Sequence, residues 1–192
     1  CPINSDFITH RYFHSVLSFK LDLLAQLKNE ESVVAEGAAL TEFLKKHRDE
    51  LIDTKSHDFL VEFIENPSKL DFFNREFLMA FASDMPFDRI EHIHQAYQSL
   101  IGLLQMQGMD EIGADQLIPF AMVATVILMT DPKINEKEEL TSALTFTYAF
   151  LSRYIEPFLT IFNMLDHPQE YSFIQFLSTY QYLVKTMKEN SQ

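Results

Sequence analysis

Apolar residues recur along the chain at steps of three and four, the period of a helix with one buried face. Over residues 6–28, Phe7, Phe13, Leu17, Leu21, Leu24 and Leu27 fall near one side, which predicts a first helix. Val34, Ala38, Leu40, Phe43 and Leu44 predict a second over 31–46. A short third is expected at 57–65, on Phe59, Leu60, Phe63 and Ile64, ended by Asn66-Pro67. A fourth at 68–82 carries Phe72, Phe73, Phe77, Leu78 and Phe81. Beyond the break at Pro86, residues 88–106 hold the cleanest amphipathic pattern, with Ile90, Ile93, Tyr97, Leu100, Ile101 and Leu104 on one face.

Gly108 and Gly113 bracket a short loop, and residues 114–129 are then apolar almost all round, as in a helix buried on several sides. Thr130-Asp131-Pro132 stops that helix, and a polar stretch over 133–139 follows. A long aromatic helix is expected from Leu140 towards Phe162, kinked or ended at Pro157, which has no amide to donate. Asp166-His167-Pro168 reads as the last loop and 170–188 as the last helix. No stretch alternates with the period of a strand, and no repeat of solenoid length recurs. The expectation is an all-α chain of about eight helices.

Composition narrows this picture. Only four Gly, with seven Pro, leave little material for tight hairpins. With 47% apolar and 22% charged residues, the chain belongs with globular proteins, and 192 residues can bury a sizeable core. The net charge of −13, from 28 acidic and 15 basic residues, predicts no affinity for nucleic acid and no unaided attachment to anionic membrane. The longest apolar run, Leu117 to Met129, is too short for a membrane span and contains Pro119. Cys1 is the only cysteine, so an internal disulfide is impossible and the reducing cytosol is the natural compartment. The first 20 residues lack a basic start followed by an apolar stretch, so no signal peptide is read, and a start at Cys-Pro suggests a piece of something longer.

The search for chemistry returns little. His10 and His14 stand one helical turn apart and could share a metal, but no third ligand is nearby, so two surface histidines are the simpler reading. His92 and His94 fall on different faces of their helix. An N-terminal Cys1 nucleophile would suit a layered α/β fold, and no strands are expected here. Glycine-rich phosphate loops are absent. No metal and no cofactor are therefore expected. Asp115 stands out, at the mouth of the most apolar helix, and its plain reading is an N-cap that stabilises the helix start by about 1 kcal/mol.

Four segments add a resemblance. They are Pro86-Phe87-Asp88-Arg89-Ile90 with the run Leu100 to Leu104, Ala114-Asp115-Gln116-Leu117-Ile118-Pro119, Leu140 to Phe146 continuing to Phe150, and Glu170 to Phe176. In order, they resemble the P-x-D-K-L opening, A-D-D-x-L-P, L-x-S-N-I-x-Y and Y-Y-F/L-T-x-L of the Vps-nine domain. That domain is the exchange-factor module of early-endosomal Rab GTPases. The resemblance covers residues 86–183 and implies an exchange domain over 85–192, preceded by a helical bundle subdomain over 1–84.

The resemblance also assigns roles. Asp115 would be the catalytic acid, entering the nucleotide site of a Rab-family GTPase and pairing with its phosphate-binding lysine. Pro119 would shape the neighbouring surface, and Tyr171 would contact the switch region. Gln116, Phe173 and Ile174 would complete the partner-binding set, with Gln116 in place of the family's second acid and Ile174 in place of its threonine. Pro119 and Tyr171 would flank an apolar groove between the helices starting at Ala114 and Glu170. A cytoplasmic protein recruited to endosomal membranes is implied. The alternative is a module that binds a GTPase or scaffolds without catalysing exchange.

Overall fold

Proline, glycine and short polar runs set most of the element boundaries. The computed structural model describes residues 26–52, 60–157, 159 and 165–191. Cys1, His10, His14, most of the expected helix over 6–28 and the start of the one over 57–65 lie outside them. Among the described residues every regular element is helical: α1 Glu31–Leu51, α2 Val61–Glu65, a 3₁₀ turn Pro67–Leu70, α3 Asp71–Ala82, α4 Pro86–Met106, α5 Ala114–Met129, α6 Leu140–Phe150 and α7 His167–Asn190. The all-α expectation therefore stands for these residues.

Three boundaries differ from the sequence reading, each for a local reason. Helix α1 runs on to Leu51 through a bend at His47, whose φ of −110° and ψ of 16° leave the helical region. The polar run after Lys46 carries no apolar period, yet Arg48 Nε donates to Thr130 Oγ1 at 3.0 Å and ties this last turn to the end of α5. Helix α6 gives way to a π-helical turn over Leu151–Ile155 ahead of Pro157, a usual way to absorb a missing amide. Helix α7 starts at His167 because Asp166 caps it. The Asp166 carboxylate accepts from the Gln169 amide at 2.8 Å, and Gln169 Oε1 accepts from the Asp166 amide at 3.3 Å. This is a capping box, and Pro168 sits where no intrahelical amide is needed. Asp166→Ala is expected to lower stability by about 1 kcal/mol in urea unfolding. An unchanged midpoint would mean that the cap does not form in solution.

The core is aromatic and continuous. Phe77 on α3 stacks on Phe73 with centroids 4.8 Å apart, and meets Phe81 at 5.4 Å, Tyr97 of α4 at 6.4 Å and Phe176 of α7 at 5.9 Å. Helices before and after residue 85 thus contribute to one apolar core. Helix α1 lies along α6 closely enough that a Cβ on Gly37 would meet Ser142 Cα at 3.3 Å. Arg153 Nη1 in the π turn donates to both carboxylate oxygens of Glu30 at 2.9 Å, closing the start of α1 onto the end of α6.

One buried charge is poorly compensated. Arg89 is buried near the start of α4; its Nη1 donates to Thr147 Oγ1 at 2.9 Å, while its Nε has no partner. Desolvation pulls the guanidinium below its ordinary pKa, and the more distant Asp84 carboxylate opposes that. A buried charge held by one neutral hydroxyl contributes little net stability. Arg89→Met is therefore expected to leave the unfolding midpoint unchanged or to raise it. A loss above about 2 kcal/mol would show that the charge is paired more fully in solution.

Candidate functional site: a groove at the start of α5

The first turn of α5 is built without help from Asp115. Gly113 is the residue that precedes the helix, and its amide donates to Gln116 Oε1 at 2.9 Å. Its carbonyl receives the Leu117 amide at 3.0 Å. The N-cap reading of Asp115 is thus corrected: Asp115 is the second residue of the helix, one step too late for its side chain to cap. It is exposed and makes no side-chain hydrogen bond or ion pair among the described residues. Its charge still suits the positive end of the helix dipole. Pro119, in the second turn, supplies no amide, so the Asp115 carbonyl also lacks the donor four residues ahead.

Beside this turn lies a groove of about 580 Å³, walled by Ile118, Pro119, Met122 and Val123 of α5, Leu51 at the end of α1, and Tyr182 and Thr186 of α7. Its only charged lining residues among those described are Asp115 and Glu50. Asp110 and Glu111, just before α5, are exposed as well. The neighbourhood is therefore apolar in the middle and acidic at the edge.

The structure brings some of the expected site residues together and separates others. Asp115 and Pro119 share the groove, and Gln116 stands beside them, its side-chain oxygen committed to the Gly113 amide. Tyr171 does not join them. The first turns of α7 are pinned to the first half of α4, where Gln169 Nε2 donates to Glu91 Oε2 at 2.8 Å and His94 Nδ1 lies 2.9 Å from Ser172 Oγ. Helix α5 starts at the other end of α4, where Gln107 Nε2 donates to Glu62 Oε2 at 2.6 Å and Phe63 packs on Phe120 at 4.5 Å. Helices α5 and α7 are antiparallel, so the aromatic residue at the groove is Tyr182, about 16 Å of helix rise beyond Tyr171. Tyr171 is thus placed away from this groove, near the first half of α4.

Phe173 does not line the groove either. It is buried at the head of the stripe Phe173, Phe176, Tyr180, Leu183 and Met187, so it supports the core and is withdrawn from a partner's reach. Ile174, next to it on the other side of the helix, is 46% exposed and free to meet a partner, far from Asp115. Sequence reasoning missed Tyr182. The available signal was an aromatic residue falling off the apolar stripe of an amphipathic helix.

Elsewhere in the molecule, no group of three His, Cys, Asp or Glu among the described residues could hold a metal. No described helix is long and apolar enough to cross a membrane. No family model matches the chain, and no curated protein or solved structure matches it either.

Proposed function

We propose that the chain is a guanine-nucleotide exchange module for a small GTPase of the early-endosomal Rab type, with Asp115 as the displacing carboxylate. The observation that carries this reading is that Asp115 caps nothing and has no side-chain partner among the described residues: it is exposed at the edge of an apolar groove, while Gly113 and Gln116 form the helix start. The sequence resemblance across 86–183 supplies the class of partner.

The mechanism needs no covalent step. A carboxylate about 4 Å from the lysine that held a phosphate attracts it by about 4 kcal/mol at an effective dielectric of about 20, some three decades in an equilibrium constant. The same charge repels the departing phosphate and weakens the magnesium site. Exchange accelerates because the nucleotide-free GTPase is stabilised. The groove beside Asp115 would hold the apolar surface around that site, and the GTPase would bring the module to an endosomal membrane from the cytoplasmic side. Release of fluorescent GDP from a panel of Rab GTPases tests this reading.

A second reading has its own support. Because Tyr171 and Asp115 stand at opposite ends of the α5–α7 pair, the two contacts of the resemblance do not form one compact site. That separation favours a module that recognises a GTPase without ejecting its nucleotide. Firm binding with no acceleration of release would select it.

A further inference from the structure

We infer that the far end of α7, through Tyr182 and Thr186, is the recognition wall of the α5–α7 groove, and that its occupant is a globular partner presenting apolar side chains ringed by lysine or arginine. This deepens the proposed function and rests on that reading for the identity of the partner as a GTPase.

Three observations converge. First, Tyr182 is 50% exposed although the neighbouring Tyr180 and Leu183 are buried, so it stands out from the helix beside the groove. A tyrosine there offers a broad apolar face and a polar tip at low entropic cost, which makes it a strong anchor at protein interfaces. Second, the wall opposite is apolar, with Ile118 and Met122 a turn apart on α5. Third, both charged lining residues among those described, Glu50 and Asp115, are acidic. The complementary surface is therefore an apolar patch inside a basic ring. A second copy of this chain is disfavoured as occupant, because a face-to-face pairing would juxtapose these carboxylates in a chain of net charge −13.

The sharpest consequence concerns which end of α7 matters. Tyr182 and Ile174 are both exposed, about 12 Å of helix rise apart. If the wall is assigned correctly, Tyr182→Ala weakens binding about tenfold or more, Tyr182→Phe restores most of it, and Ile174→Ala changes it less than about twofold.

The experiment uses the full chain and a panel of nucleotide-stripped Rab GTPases immobilised for binding, alongside the GDP-release assay with Asp115→Ala. Thermal unfolding of each variant serves as a fold control. The chain has no Trp, so Tyr182→Trp adds a single fluorophore for acrylamide quenching of the free protein. Open quenching that does not change on dilution, together with a binding loss at Tyr182, is the expected result. Shielding that disappears on dilution would assign the groove to a second copy, and shielding that persists would assign it to the chain's own residues; either overturns the inference. Exchange that depends on Asp115 but survives Tyr182→Ala, or binding lost through Ile174→Ala instead, overturns it and leaves the proposed function standing. Failure to bind or act on any GTPase overturns both.

Discussion

Asp115→Ala is expected to reduce GDP release from the responsive Rab GTPase by about a hundredfold or more, because the single group placed to compete with phosphate is removed. Stability should hardly move. Asp115 makes no cap and no ion pair among the described residues, so the expected loss is its favourable place at the helix dipole, about 0.3–1 kcal/mol. Asp115→Asn keeps the shape and removes the charge, and should be nearly as inactive. The contrast with Asp166 is informative, since that aspartate does cap its helix and should show the opposite pattern: lower stability with exchange intact. If Asp115→Ala unfolds the protein, or leaves exchange at the wild-type rate, the assignment of Asp115 fails. Binding that persists without any acceleration, in wild type and variant alike, would point to recognition alone.

Phe77→Ala is expected to cost about 3–5 kcal/mol, the range for emptying a large aromatic site in a core. Phe77 is 1% exposed and meets rings from its own helix, α4 and α7. No single neighbour can swing in to fill the space, because those neighbours are themselves buried and mutually packed. For a chain of this length the loss corresponds to a fall in Tm of about 6–20 °C, readable by calorimetry. The location matters as much as the size. Phe77 lies before residue 85 and its partners Tyr97 and Phe176 lie after it, so one cooperative transition should move as a whole. A loss below about 1 kcal/mol, or two separate transitions, would mean that α3 belongs to an independently folding unit.

The helical period made most of the described helices legible in the sequence. Helix α5 appears with its expected bounds, Ala114–Met129, because Gly113 and the Thr130-Asp131-Pro132 stop are local signals. Helix α4 ends at Met106 as read, and the long aromatic helix loses its regularity ahead of Pro157 as a missing amide requires. The end of α1 and the start of α7 were misplaced. Continuation of the first depends on a contact with Thr130, 82 residues away, and the second on reading Asp166 as a cap where the sequence suggested a loop.

The site divides along the same line. Sequence alone determined that Asp115 sits at the mouth of the most apolar helix, that Pro119 follows it by one turn, and that the chain is strongly acidic, since each depends only on residue order. Only the tertiary structure decided what stands across from them. A helix's period fixes which residues share a face but leaves open the direction in which a neighbour runs. Pinning the start of α7 to the first half of α4 makes α7 antiparallel to α5, which carries Tyr171 away and brings Tyr182 to the groove. Gln116 in turn accepts from the Gly113 amide at the helix start, and Asp115, one residue inside the helix, is left exposed with no side-chain partner among the described residues.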